Sequence, residues 1–297
     1  MYRNGIAILL ITLLLATGFL SACKPSLESN VPGLIVDASL EAAVREEINK
    51  PSGAILATDL EGLTILVAGE RNIADLSGLE HCTNLTYLDL GHNQISDISS
   101  LASLTNLTML NLTSNRISDI SPLALLTNLT SLFLGQNQIS DISPLASLTN
   151  LTHLILQQNQ IGNPSPLASL TKLTSLDIEG NQISDISPLV SLTNLTSIDL
   201  ANNMISSVSL LTTLTHLTIL NLSSNQIIDI SSLASLIELT WLNLRNNQVV
   251  DISSLISLPA LATLFIFGNP LDDNSKSIII PELINRGVKV AYLHSGC

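Results

Sequence analysis

The feature that most constrains the fold of this chain is an asparagine that returns every 22 residues. A fixed period of this length over most of a chain indicates a solenoid, in which each repeat forms one coil. A single coil cannot bury its apolar side chains alone, so the coils must stack and the array needs a cap at each end. The period holds without a slip at nine positions: Asn93, Asn115, Asn137, Asn159, Asn181, Asn203, Asn225, Asn247 and Asn269.

Each coil combines a strand pattern with a turn pattern. In the second coil, Leu88 and Leu90 alternate with Asp89, which predicts a short strand whose leucines face the core. The Ile-Ser-Asp-Ile-Ser stretch that follows has turn-forming residues and is too short for an α-helix, so it predicts a 3₁₀ or irregular segment. Ten such registers, the first at Leu63 and the last at Leu261, predict an α/β solenoid. This solenoid is an arc with a parallel concave β-sheet and an irregular convex side.

The repeated asparagine has a physical reason. Where each coil leaves its strand, backbone N–H and C=O groups face the interior without a partner in the sheet. An asparagine amide offers two N–H donors and one carbonyl acceptor. Stacked at the strand spacing of ~4.8 Å, such side chains can satisfy those groups coil after coil. We therefore predict a structural ladder, and not a ligand site, for all nine asparagines.

The segments on either side of the repeats predict the caps. Residues 34–62 are expected to form an N-terminal helical cap, with Asp37 at the start of its helix. The repeats are expected to occupy residues 63–270. Residues 271–297 then predict a C-terminal cap, with a helix from Ser275 to Gly287 and a closing strand over residues 288–292.

The N-terminus has the pattern of an export signal. Arg3 precedes an apolar run from Ile6 to Leu20, which is short for a membrane span and fits a signal peptide. The Leu-Ser-Ala-Cys sequence that ends at Cys23 resembles the bacterial lipobox. The resemblance implies removal of residues 1–22, lipidation of Cys23, a tether over residues 23–33 and an extracytoplasmic position on a bacterial membrane. A plain signal peptide or an uncleaved anchor is the alternative.

Charge and cysteine content narrow the class of function. The chain has 11 basic and 24 acidic residues, a net charge of −13. This balance argues against a nucleic-acid partner, which requires a basic face, and against direct adhesion to anionic lipid. The lipid on Cys23 would be the contact with the membrane. Cys82 replaces a leucine of the repeat and is expected to be a buried thiol, and with Cys297 it gives no disulfide framework.

The repeat also carries a family resemblance. Leu-Thr-Asn-Leu-Thr-x-Leu-x-Leu-x-x-Asn-Gln-Ile-Ser-Asp-Ile-Ser-Pro-Leu resembles the 22-residue leucine-rich repeat of internalin-type bacterial surface proteins. The stretches that begin at Asp37 and Asp59 resemble the N-terminal caps of such proteins. The resemblance covers about residues 34–292. It implies a leucine-rich repeat arc that binds a partner on its concave face.

Outward strand positions vary from coil to coil and are the candidates for binding. Five of the six aromatic residues that follow the signal segment occupy these positions. Binding sites are enriched in aromatic residues, although aromatic residues also suit strands and stack on cross-strand neighbours. The candidate ligand-binding residues are Tyr87, Asp89, Phe133, His153, Asp177, Glu179, Asp199, Trp241, Arg245, Phe265 and Phe267.

Two acidic groups of the repeats have different interpretations. Asp177, Glu179 and Asp199 are predicted to cluster, and they could capture a basic side chain, bind a cation or form a solvated acidic face. Calcium requires six or more oxygen ligands, and no dedicated loop is present, so we predict no metal site and no cofactor. A second column of aspartates, represented by Asp141, is replaced by Asn163 and Ser207 in two coils. These residue types share turn capping and not charge, which favours a capping role.

The sequence contains little that indicates catalysis. The five histidines are scattered, and none has a nucleophile and a carboxylate at recurring reach, so the chain is not expected to be an enzyme. We predict a monomeric, lipid-anchored binding module whose concave face recognises a protein, with a glycan as the second class of partner. The alternative is a structural spacer or envelope scaffold without a specific ligand.

Overall fold

A computed structural model describes residues 33–292. The predicted signal peptide, the predicted lipidation site Cys23, most of the predicted tether and Cys297 lie outside the described residues. The described residues comprise the two caps and the repeats between them. Within it, none of the helices has both the length and the apolar character needed to cross a membrane.

The chain begins with helices α1 (Ala38–Glu47) and α2 (Ala57–Leu60) and continues as short strands that alternate with 3₁₀ turns. The strands are β1 (Ile65–Val67), β2 (Tyr87–Asp89), β3 (Met109–Asn111), β4 (Ser131–Phe133), β5 (His153–Ile155), β6 (Ser175–Asp177), β7 (Ser197–Asp199), β8 (Ile219–Asn221), β9 (Trp241–Asn243), β10 (Thr263–Phe265) and β11 (Lys289–Ala291). The 3₁₀ turns are Leu79–His81, Ser99–Ser103, Ser121–Leu125, Ser143–Ser147, Ser165–Ser169, Ser187–Ser191, Ser209–Thr213, Ser231–Ser235 and Ser253–Ser257. Helix α3 (Ile280–Asn285) lies between β10 and β11.

All strands form one parallel sheet in sequence order from β1 to β11. Each residue of a repeat strand pairs with its equivalent one coil later, as Leu88 does with Leu110. The middle residue of each strand points into the core, and its two neighbours point outward. The predicted fold, a leucine-rich repeat solenoid with a parallel sheet on one side and 3₁₀ turns on the other, is confirmed.

The repeated leucines and isoleucines form one continuous core from the N-terminal cap to the C-terminal cap. Most of these side chains are completely buried, including Cys82 in its leucine position. Burial, together with the nearby charge of Glu80, raises the pKa of the Cys82 thiol to about 12. Cys82 is thus a packing residue with an unreactive thiol, as the sequence indicates.

The N-terminal cap is tied to the first coil by Asp37. One carboxylate oxygen of Asp37 accepts hydrogen bonds from the N–H groups of Ser39 and Leu40 at the start of α1. The other oxygen accepts from Ala74 and Asp75 in the first coil. Asp37 therefore caps a helix and joins two elements at the same time, which its helix-start pattern alone does not reveal.

The C-terminal cap differs in detail from the predicted helix. A π-helical turn occupies Ser275–Ile279, and the α-helix begins only at Ile280. Pro281 therefore lies in the first turn of α3, where a missing N–H does no harm. Arg286 donates hydrogen bonds to the carbonyl groups of Ile256 and Leu258, which fastens the cap to the last coil.

On the convex side, the aspartates of the second acidic column cap the turns. Asp141 accepts the N–H of Ser143 at 2.8 Å, and the equivalent bond recurs in the other coils that carry this aspartate. Asn163 makes the same contact with Ser165 at 3.0 Å. Ser207 reaches the N–H of Ser209 at only 3.5 Å. The geometry agrees with turn capping and not with a ladder of charges.

Candidate functional site

The asparagine column lies just behind the sheet, where each strand ends. In the middle of the array, the Oδ1 of Asn159 accepts the N–H of Ile139 in the preceding coil at 3.0 Å. Its Nδ2 donates to the carbonyl groups of Leu134 and Leu156, both at 3.0 Å. The same three contacts recur from Asn93 to Asn269, so each amide joins its own coil to the preceding one.

We define the concave face as the two outward positions of each strand together with the residue two places after the strand. The structure places all eleven candidate binding residues on this face. They do not form one cluster. They fall into an N-terminal group around Tyr87, two separate residues on β4 and β5 (Phe133 and His153), an acidic group on β6 and β7, and an aromatic group towards the C-terminal end.

The N-terminal group is more apolar than the candidate residues suggest. Tyr87 pairs in register with Ile65 on one side and Met109 on the other, and Val67 lies beside Ile65 on the first strand. Ile65 and Val67 are about half exposed, and burial together with the charge of Asp89 raises the pKa of the Tyr87 hydroxyl. The sequence contains the signal for this patch, because all of these residues occupy the outward columns.

Several outward aspartates and asparagines hydrogen-bond to the backbone two residues later, a structural role that the sequence analysis missed. The Oδ1 of Asp89 accepts the N–H of Gly91 and the side-chain amide of Asn111, both at 2.9 Å. Asp177 and Asp199 each accept the N–H two residues later in the same way. The missed signal is the recurrence of Asp or Asn as the last residue of the strand, two residues before the chain turns.

The acidic group consists of Asp177, Glu179 and Asp199. One carboxylate oxygen from each lies within 4.8 Å of the others, as the predicted strand pairing requires. Burial, the charge of Asp199 and the charge of Glu179 raise the pKa of Asp177 to about 7. Burial also raises the pKa of Asp199 to about 6, although the N–H of Ala201 and the amide of Asn221 counteract the shift. Near neutral pH the group can therefore gain a proton.

The aromatic group lies towards the C-terminal end of the concave face and consists of Trp241, Phe265 and Phe267, with Arg245 beside them. The rings of Trp241 and Phe265 lie 5.5 Å apart between centroids and are inclined at 54°. The guanidinium of Arg245 lies 5.8 Å from the centroid of Phe265 and 5.0 Å from that of Phe267. These distances fit cation–π contacts. The buried Nε of Arg245 has no hydrogen-bond partner among the described residues.

The histidines lie in separate places. His153 is exposed on the concave face, and its Nδ1 lies 2.9 Å from the hydroxyl of Thr152. His216 lies 3.5 Å from Glu238, and His81 lies 4.0 Å from Glu80, both away from the strands. These contacts place no carboxylate behind His153.

The stacked parallel coils, the inward leucines and the asparagine ladder define a class of protein, the leucine-rich repeat solenoids. The family model described as leucine rich repeats in two copies matches residues 61–103, 105–147, 149–191 and 193–235, more than half of the chain. The chain belongs to the leucine-rich repeat family. Members of this family commonly bind other proteins and are generally not enzymes.

Solved structures similar to this chain include bacterial and plant proteins. The internalin InlF from Listeria monocytogenes is 32% identical, with a TM-score of 0.69 over 88% of this chain and 90% of that chain. The internalin InlC2 from the same species is 35% identical, with a TM-score of 0.64 over 78% and 94%. The ectodomain of the Arabidopsis thaliana receptor kinase GASSHO1/SCHENGEN3, in complex with CASPARIAN STRIP INTEGRITY FACTOR 2, is 28% identical, with a TM-score of 0.62 over 70% and 27%. A comparison with curated proteins gave no significant match.

Proposed function

We propose that this protein is a lipid-anchored surface module that binds a protein partner on its concave face. The observation that carries the proposal is the placement of the aromatic residues. Of the six aromatic residues between residues 33 and 292, five lie on the concave face and only Tyr292 does not. Tyrosine, tryptophan and phenylalanine are the residues that most often anchor protein interfaces.

Folding alone does not explain this placement. The core is built from aliphatic side chains, and the aromatic residues of the concave face are all partly exposed to solvent. Tyr87 and Phe133 have aliphatic or polar neighbours in register, so neither belongs to an aromatic stack within the sheet. Both side chains would become more buried when a partner covers them.

The length of the concave face suits a polypeptide. Eleven parallel strands at the usual spacing span on the order of 50 Å. The Arabidopsis receptor ectodomain, which shares the fold, was solved in complex with CASPARIAN STRIP INTEGRITY FACTOR 2. A glycan partner is an alternative outcome of the test described below, because aromatic residues also bind sugars.

The anchor belongs to the same proposal. Cys23 in its Leu-Ser-Ala-Cys context would carry the lipid, and residues 24–32 would link it to the N-terminal cap. In the sequence, helix α1 of the cap starts at Ala38, a few residues after this tether. The concave face would then be presented outside a bacterial membrane.

A structural spacer is the second candidate function, and one observation favours it. Trp241 and Phe265 stack on each other, so part of the aromatic enrichment serves strand packing. Tyr87 and Phe133 have no aromatic neighbour in register, so a spacer would not require them. These two residues therefore separate the two candidates.

The test is capture of surface proteins and glycans by the chain from residue 24 onward. Wild type is compared with the double variant Tyr87→Ala/Phe133→Ala and with Ser143→Ala, which changes an exposed convex residue. A binding module predicts a defined partner that the double variant loses and the convex variant keeps. Protease treatment of the captured material distinguishes a protein from a glycan. Equal capture by all three variants would contradict recognition on the concave face.

A further inference from the structure

We propose that Arg245 forms a carboxylate-binding subsite at the C-terminal end of the concave face. The subsite would take an acidic side chain of the protein partner, with an apolar group of the partner packed on Trp241 beside it. This inference rests on the proposed function, because it names the chemistry of the partner that the concave face would recognise.

Arg245 has no carboxylate partner among the described residues, whereas three basic residues near the N-terminal cap each have one. Arg45 pairs with Glu41 at 2.7 Å, Lys50 with Asp59 at 2.7 Å, and Arg71 with Glu46 at 2.6 Å. In a chain with 24 acidic residues, no described carboxylate pairs with Arg245. The Nε of Arg245 is buried and has no acceptor in residues 33–292, so the described residues leave this guanidinium incompletely hydrogen-bonded, which is costly.

The guanidinium of Arg245 is already positioned by its aromatic neighbours. Phe265 and Phe267 lie on successive outward positions of one coil, and both contact the guanidinium of Arg245. Trp241 packs against Phe265 and limits the movement of that ring. A planar cation that already lies over two aromatic rings loses little further freedom when it binds, and a guanidinium matches a carboxylate through paired hydrogen bonds.

The surroundings of Arg245 also restrict the charge of the ligand. Arg245 is the one arginine or lysine on the concave positions of β1 to β10. The basic residue on β11, Lys289, lies two strands from β9, in the register of Trp241. A phosphate group usually recruits several basic side chains, whereas one guanidinium matches one carboxylate. The net charge of −13 also disfavours a polyanion. These features favour a single acidic side chain on a partner that is otherwise neutral or basic.

The acidic group formed by Asp177, Glu179 and Asp199 also restricts where the partner can carry a negative charge. Asp199 lies on β7, and Arg245 follows β9, so about 10 Å separates the two coils at the usual strand spacing. A partner that lies along the concave face and places a carboxylate on Arg245 must avoid a second carboxylate over Asp177, Glu179 and Asp199. The partner would thus place its acidic group over Arg245 and only neutral or basic groups over Asp177, Glu179 and Asp199.

The experiment uses the full-length chain in detergent and two probes that differ only in charge. The probes are N-acetyl-Phe-Glu-amide and N-acetyl-Phe-Gln-amide, titrated into the tens of millimolar range. Trp241 is the only tryptophan of the protein, so its fluorescence reports on this site alone. We expect the acidic probe to bind at least about tenfold more tightly than the neutral one, a difference of about 1.4 kcal/mol. The difference should shrink as salt is added.

Variants then assign the effect to Arg245. Arg245→Gln should abolish the preference for the acidic probe. Arg116→Gln is the matched control, because it removes the same charge from an exposed position that donates to Gln94 outside the strands. Circular dichroism and thermal unfolding check that both variants fold. Equal binding of the two probes to the unaltered protein, no fluorescence change with either, or a preference that survives Arg245→Gln would overturn the subsite.

The subsite and the proposed function fail in different ways. A captured protein partner that requires Tyr87 and Trp241 but binds Arg245→Gln as tightly as wild type would overturn the subsite and leave the concave binding face in place. Loss of the preference for the acidic probe in Arg245→Gln, together with a large loss of partner affinity in the same variant, would support both.

Discussion

Replacement of Asn159 by alanine tests the energetic role of the asparagine ladder at its centre. The substitution removes the acceptor of the Ile139 N–H, which has no other hydrogen-bond partner in the part of the chain that the structure describes. It also removes one donor each from the carbonyl groups of Leu134 and Leu156. Those carbonyls keep a second donor, since Asn137 also bonds to Leu134 and Asn181 also bonds to Leu156. The net result is one orphaned buried N–H and two weakened acceptors.

An unsatisfied buried donor costs about 1–3 kcal/mol, so we expect Asn159→Ala to lower the free energy of unfolding by this amount. For a domain of this size, 1 kcal/mol corresponds to roughly 2–4 °C in Tm. Asp141→Asn is the matched control on the convex side, because an asparagine can still accept the N–H of Ser143 and should cost less than about 0.5 kcal/mol. Urea unfolding and differential scanning calorimetry measure both variants.

An Asp141→Asn variant that is destabilised as much as Asn159→Ala would contradict the structural role assigned to the asparagine ladder. An unchanged free energy of unfolding in Asn159→Ala would also contradict this role, because the ladder would then contribute nothing that water could not replace. An increase in stability on replacing Asp141 would instead indicate repulsion along the aspartate column.

Three further predictions concern the anchor, the acidic group and the N-terminal cap. Cys23→Ala should shift the protein out of the detergent phase or leave an uncleaved precursor in bacterial cells, and unchanged partitioning and processing would refute lipidation. The folded-state pKa of Asp177, about 7, lies above its ordinary 3.8, so the folded protein alone binds a proton between these values. The free energy of unfolding should therefore rise by on the order of 2–4 kcal/mol as the pH falls from 8 to 5. Asp177→Asn should weaken this dependence on pH, and an unaltered dependence in that variant would contradict the raised pKa of Asp177. Asp37→Ala removes the cap of α1 and its link to Ala74 and should cost about 1–2 kcal/mol in urea unfolding, whereas a change within error would mean that water replaces these bonds.

The sequence predicts most of this fold because every coil repeats the same physical solution. The 22-residue period gives the strand register, and the alternation of leucine with polar residues gives the face that each side chain occupies. Caps are harder to predict, because they occur once and follow no period. The π-helical turn before α3 has no sequence signature, and the second role of Asp37 depends on which residues of the first coil the helix meets.

The candidate site is less predictable for the same reason. Outward columns can be enumerated from the period, but the contacts between them depend on side-chain conformations. The sequence does not show that Arg245 lies against two phenylalanine rings instead of pairing with a carboxylate. It also does not show that Asp89 uses its Oδ1 to hold the turn at Gly91. An outward position thus indicates accessibility, whereas the structure shows which side chains are already engaged.

The most direct test of the central claim is the affinity of the captured partner for concave and convex variants. Truncation of an aromatic residue at a binding hot spot typically costs 2 kcal/mol or more, roughly a thirtyfold loss of affinity. Isothermal titration calorimetry on Trp241→Ala and Tyr87→Ala, with Ser143→Ala as the convex control, measures this loss directly. Recognition on the concave face predicts a loss of this size for at least one aromatic variant and an unchanged Kd for the control. Wild-type affinity in both aromatic variants, with a loss in the convex variant, would contradict it.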